Sequence, residues 1–127
     1  MPASSSSYLP AGRSPEIDKF VDHFLSLMCD RSRRQILELL ASPLEMKSAS
    51  HELVERRSTD IARELGLSPA TASGHLRQLA NAELIASRRD GNEVYYRLAN
   101  RELVDVFHDL LLALHDEHNA RLKNRVN

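Results

Sequence analysis

Residues 58–98 read STDIARELGLSPATASGHLRQLANAELIASRRDGNEVYYRL, and the fold turns on this stretch. Ser58, Thr59 and Asp60 offer cap residues for a short helix through Ile61, Ala62 and Leu65. Gly66 then stops it, since glycine tolerates left-handed backbone at little cost. Ser68-Pro69 starts another helix, a cap followed by proline in the first helical position, with Ala72, Leu76 and Leu79 facing inward. Two helices joined by a tight glycine-bearing turn are the pattern of a helix-turn-helix. β-rich runs at 84–89 and 93–98 follow, flanking Asp90-Gly91-Asn92, and predict a hairpin. A basic hairpin directly after a helix-turn-helix is a wing. The fold class is therefore mainly α with a small β-hairpin, a winged helix-turn-helix.

The flanks extend this reading. Ser14-Pro15 is a plausible helix start, and Ile17, Phe20, Val21, Phe24 and Met28 recur at helical spacing behind it. Asp30 or Ser32 caps a second helix with Ile36, Leu37 and Leu40 inward, and Pro43 ends it. Residues 41–57 offer only Leu44, Met46, Leu53 and Val54 as apolar anchors, which predicts a long connection carrying one exposed helix. Asn100 caps a last helix to about Arg121, where Leu103, Phe107, Leu110 and Leu114 are spaced four, three and four apart. So long a stripe needs a partner surface, and a second copy of the chain is the simplest one.

The 127 residues suit one domain with one core. With 42% hydrophobic and 28% charged residues, four Gly and no Trp, a helical globular protein fits better than a disordered chain. Residues 1–14, rich in Ser and Pro, predict a disordered leader before a domain over 15–127. Cys29 is the single cysteine, which excludes an intramolecular disulfide and a four-cysteine zinc cage and predicts a cytoplasmic protein. Its place before the second helix suggests a buried small residue. There is neither a secretory signal pattern nor an apolar run of membrane-spanning length. The net charge of −1 argues nothing about nucleic acid, but its distribution does. Arg56, Arg57, Arg63, Arg77, Arg88, Arg89 and Arg97 lie in the middle, and Asp105, Asp109, Asp116 and Glu117 lie late.

A helix that enters the major groove needs small or polar residues on its outward side near the amino end. Ser68, Ala70, Thr71, Ser73, Gly74 and His75 meet that need, with Arg77 for phosphate. Glycine inside a helix costs about 1 kcal/mol against alanine, so Gly74 marks either close approach to a duplex or tight helix packing. Arg88 and Arg89 in the hairpin and Asn92 at its tip would touch the DNA backbone or minor groove; taken alone, such a pair is a solvated face.

LSPATASGHLRQLANAELIASRRDGNEVYYRL (67–98) resembles the reading helix and wing of the ArsR/SmtB family of bacterial repressors, and LMCDRSRRQILELL (27–40) resembles the segment before it, with Arg33 at the family's characteristic arginine. The resemblance spans roughly residues 17–118 apart from 41–57. It implies a homodimer built on the first and last helices, through Phe20, Phe24, Leu103, Phe107, Leu110 and Leu114. It also implies binding to double-stranded DNA at a palindromic operator until a signal releases it. Three departures stand out: Gly74 replaces a larger polar residue, Glu83 sits where a turn glycine is usual, and 41–57 is longer than the usual connection.

The resemblance also bears on the signal. The family's cysteine-rich metal motif has no counterpart in RRSTDIARE (56–64). Its last-helix motif is half present: His115 and His118 match, but Glu102 and Val104 stand where an Asp and a His belong. His108 lies seven residues before His115 on the same helix face and is a candidate replacement. His108, His115, His118 and Asp105 from two antiparallel helices would suit Zn or another transition metal ion at the dimer interface. Otherwise these histidines edge the dimer seam, paired with Asp105, Asp109 or Asp116 and open to titration near neutrality. No cofactor is fixed by the residues. No nucleophile with a base, carboxylate pair or phosphate loop suggests an enzyme. The competing reading is a winged-helix module whose basic wing binds protein.

Overall fold

The computed structural model describes residues 14–42 and 55–126. The expected leader over 1–14 and the exposed helix within 41–57 fall mainly outside those residues.

Helix α1 (Pro15–Met28) begins where Ser14 Oγ accepts from the Ile17 amide at 3.3 Å, and Pro15 occupies its first turn. Asp30, rather than Ser32, caps α2 (Arg31–Ala41) by accepting from the Arg33 amide at 3.2 Å. A two-residue strand β1 (Arg56–Arg57) leads into α3 (Ser58–Leu65). Here the cap expectation is corrected. Arg57 is the cap residue, with no side-chain cap bond, and Ser58, Thr59 and Asp60 form the first turn. The Asp60 carboxylate accepts instead from the Arg57 guanidinium at 2.8 and 3.1 Å, and that pairing removes it from capping.

Gly66 ends α3 at φ +68°, and Ser68 caps α4 (Pro69–Asn81) by accepting from the Thr71 amide at 3.1 Å. Strands β2 (Ile85–Asp90) and β3 (Glu93–Leu98) pair antiparallel from Ile85↔Leu98 to Asp90↔Glu93, closing over Gly91 at φ +64°. β1 pairs with the other edge of β3, so the strand order is β1-β3-β2. Asn100 caps α5 (Arg101–Val126) by accepting from the Leu103 amide at 3.0 Å. At 26 residues this helix is about 39 Å long.

Glu83 adopts φ +63° between α4 and β2. A side chain in that region costs roughly 1–2 kcal/mol. Strain therefore sits at this corner, where a turn glycine is usual, and the bond from the Leu84 amide to the Leu79 carbonyl (3.1 Å) holds the turn.

One core joins α2, α3 and α4 to the base of the wing. Ile36, Leu40, Ile61, Leu76, Leu79 and Leu84 are fully buried, each contributing roughly 1.5–3 kcal/mol through lost apolar exposure. Leu98 and Val104 extend it to the wing's end and the start of α5. The reading helix is thus clamped along its Ala72, Leu76 and Leu79 stripe, and its opposite side is left outward.

Candidate nucleic-acid interface

The outward side of α4 follows from its buried stripe and a step of 100° per residue. Ala70, Gly74 and Arg77 lie opposite Ala72, Leu76 and Leu79, with Thr71 and Gln78 to one flank and Ser73 to the other. Ser68, Ala70, Thr71, Ser73 and Arg77 are exposed. A Cβ built on Gly74 meets nothing within 4 Å, so packing among the described residues does not call for the glycine. The centre of the strip is a bare stretch of helix backbone with an arginine one turn beyond it.

His75 is not brought into this strip. Its side chain is 17% exposed, with Nδ1 3.4 Å from Arg33 Nη1 and Nε2 3.9 Å from Asp30 Oδ1. Arg33 is the hub of that contact: Nε donates to the Leu27 carbonyl at 2.7 Å and Nη1 to Gln78 Oε1 at 2.7 Å. The Asp30 carboxyl is held below its ordinary value, chiefly by the Arg33 amide and then by the neighbouring His75 and Arg33 charges. Sequence reading missed Gln78, since a glutamine on an exposed flank carries no signal of a partner 45 positions away.

In the wing, neighbours across strands share a face and alternate along each strand. Arg57, Tyr95 and Arg88 therefore lie on one face, while Arg89 and Val94 lie on the face that carries buried Ile85 and Leu98 nearer the core. Asn92 is exposed at the tip. The Arg88 guanidinium lies 4.4 Å over the Tyr95 ring and grips Glu55 through Nε and Nη2, each at 2.9 Å. That bond holds the Glu55 carboxyl below its ordinary value and raises Arg88.

These features match known proteins. Residues 30–87 fit the family model described as bacterial regulatory protein, arsR family. The homodimeric winged helix-turn-helix DNA-binding domain Mb0332 from Mycobacterium bovis, described as a possible ArsR-family regulator, is 31% identical with a TM-score of 0.63, over 86% of this chain and 93% of that one. The chain belongs to the ArsR family. It is a transcriptional regulator rather than an enzyme.

The arsenical resistance operon repressor of Staphylococcus aureus is 29% identical to this ArsR-family regulator over 92 residues, 72% of this chain and 78% of that protein. The regulator Rv0324 of Mycobacterium tuberculosis is 35% identical over 88 residues, 69% of this chain, which spans only 34% of that protein. The antimony-specific repressor AntR is 25% identical with a TM-score of 0.64, over 87% and 89% of the two chains.

The ArsR-family chain leaves an apolar face open on α1 and α5. Phe20, Leu110 and Leu114 are exposed there, as are Ile17, Val21, Leu25 and Val106, which sequence reading did not assign to a seam. Phe24 and Phe107 instead meet each other edge-on at 5.6 Å, and with Leu103 they pack on the core, half buried. Cys29 is exposed, which corrects its expected burial: it lies at the α1 C-cap beside the open face, where Leu25, Leu110 and Leu114 line the same groove.

The last-helix histidines of this regulator are dispersed. Val104, the position of the family's missing ligand, is 4% exposed and packs in the core, so no ligand could replace it without opening that core. Asp105 lies 3.7 Å from Arg101, and His108 edges a cavity of about 310 Å³ between α2 and α5. His115 stands mostly exposed beside Asp116 at 3.7 Å; of the three acids expected as partners, this is the one that pairs with a histidine. Among the described residues of one chain, no cluster of three metal-ligating side chains forms. No helix there is long and apolar enough to cross a membrane.

Proposed function

We propose that the chain is a homodimeric repressor of a palindromic operator. The α4 strip of Ser68, Ala70, Thr71, Ser73, Gly74 and Arg77 enters the major groove, and the wing that carries Arg88, Arg89 and Asn92 lies along the backbone, with Arg89 and Asn92 open to it. His75 acts behind the strip, through Arg33. The copies join through Phe20, Leu110 and Leu114, with Phe24, Leu103 and Phe107 beneath them.

One observation carries this reading: the outward centre of α4 is bare backbone at Gly74, with open space beyond it and exposed Arg77 beside it. A groove edge can approach such a surface closely, and cations at its margin suit phosphates. The relatives named as repressors, and the relative described as homodimeric, support the same assembly and sign of regulation.

Release by arsenic or antimony, implied by two relatives' names, does not carry over easily. Thiolates are the soft ligands such ions favour, and Cys29 is the single one per chain. The histidines of α5 suit a borderline ion such as Zn, shared between copies. Titration of the chain's own promoter fragment tests the operator reading. Saturable, salt-sensitive binding at two protomers per site is expected; binding no tighter than to a scrambled fragment would overturn it.

A further inference from the structure

We propose that Glu55 takes Arg88 out of phosphate binding and leaves Arg89 as the wing's phosphate contact, a division of labour that rests on the operator reading above.

The two arginines are adjacent in sequence but point to opposite faces of the hairpin. On the Arg88 face every arginine within reach of an acid is engaged. Arg57 pairs with Asp60 at 2.8 Å and approaches Glu93 at 3.8 Å. Arg88 spends Nε and Nη2 on Glu55, has Nη1 3.9 Å from Asp90, and rests on Tyr95. Arg97 lies near enough to Glu55 to help hold its carboxyl ionised.

A carboxylate held on the Nε–Nη2 edge of a guanidinium occupies the place that a phosphate would take there. For Arg88 to take a phosphate on that edge, its pair with Glu55 must open. Glu55, 25% exposed, would then be left ionised and unpaired beside a polyanion. Loss of the Glu55 pair and an unpaired carboxylate beside the phosphate both count against that exchange.

Arg89 faces the other way. It pairs in register with Val94 on the same side of the sheet as Ile85, Tyr96 and Leu98, which pack toward the helical core that holds α4. It is exposed and makes no ion pair among the described residues. Glu55 is thus a positioning residue: it fixes Arg88 as a brace from β2 across β3 to the edge at β1, and it keeps the outer face neutral.

The test uses non-specific binding, which reads phosphate contacts without knowledge of the operator. The full chain and its variants are titrated against a fluorescent mixed-sequence 30-bp duplex over a series of NaCl concentrations. Each phosphate contact adds about 0.9 to the slope of log K against log salt, so a dimer with two wings changes by about 1.8. Arg89→Gln is expected to lower the slope by that amount and Arg88→Gln to leave it unchanged. Glu55→Gln is expected to raise it by the same amount, and the double variant Glu55→Gln with Arg88→Gln to return it to wild type. A fall with Arg88→Gln equal to that with Arg89→Gln overturns the proposal, as does a gain with Glu55→Gln that survives loss of Arg88. Wild-type protein that binds no duplex at any salt overturns the operator reading and this one together.

Discussion

Arg33 donates to Gln78 at 2.7 Å, and through that bond the first turn of α2 grips the helix proposed to enter DNA. The same guanidinium holds the Leu27 carbonyl and touches His75, so one side chain ties α4 to α1 and adds polar contacts to the packing of the Ala72, Leu76 and Leu79 stripe.

Arg33→Ala removes charge-assisted bonds that are partly buried and leaves the Leu27 carbonyl without its guanidinium partner. A loss of about 1.5–3 kcal/mol is expected, read as a lower midpoint in urea unfolding. Arg33→Lys should recover little of it, because an ammonium cannot meet Leu27 and Gln78 with a planar fork.

Gly74→Ala separates stability from function. With open space where the methyl group would go, helix propensity alone predicts a gain of about 0.5–1 kcal/mol and a higher melting temperature. The same methyl group would stand at the centre of the face proposed for the duplex. Operator affinity should fall while stability rises; a variant both more stable and equally tight would retire close approach at this residue.

The exposed seam offers a direct check on assembly. Leu110→Asp places a charge in the groove of Leu25 and Leu114, where a second copy would have to bury it. Sedimentation at micromolar concentration should then report the monomer mass, with circular dichroism unchanged, since Leu110 contributes nothing to the chain's own core.

Acid should weaken the protein through three carboxylates. Asp30, Glu55 and Asp60 are each held below their ordinary values of 3.8, 4.5 and 3.8, by the Arg33 amide, by Arg88 and by Arg57 respectively. A depressed folded-state value means the stabilisation is fully present above the ordinary value and is lost as pH falls through the folded one. Unfolding midpoints should therefore hold steady above about pH 5 and drop below about pH 4. Asp30→Asn, which keeps a good cap residue, should flatten part of that drop.

His115→Ala combined with His118→Ala should change stability by less than about 0.5 kcal/mol, since both side chains are exposed. If two copies share an ion on α5, zinc per chain measured by mass spectrometry falls in this variant and the response of DNA binding to zinc goes with it. Unchanged zinc content excludes these histidines.

The winged helix-turn-helix was legible in the chain because its signals are local. Gly66 after Leu65, Ser68-Pro69 before the Ala72 stripe, and Asp90-Gly91-Asn92 between two β-rich runs each act within a few residues. β1 was not legible: two residues carry no period, and Arg56 and Arg57 are a strand only because β3 offers them an edge. Tertiary structure alone decided how similar residues divide their work. Arg88 and Arg89 are neighbours of one type, but the pleat sends one to Glu55 and leaves the other open. Val104 and His108 share a helical stripe, but the α2 helix buries the first and only edges the second. His75 sits among groove-facing residues by number, but the turn of the helix places it beside Arg33 and Asp30. Backbone conformation is set by near neighbours in sequence. Whether a polar side chain meets a partner or solvent depends on groups that folding alone brings beside it.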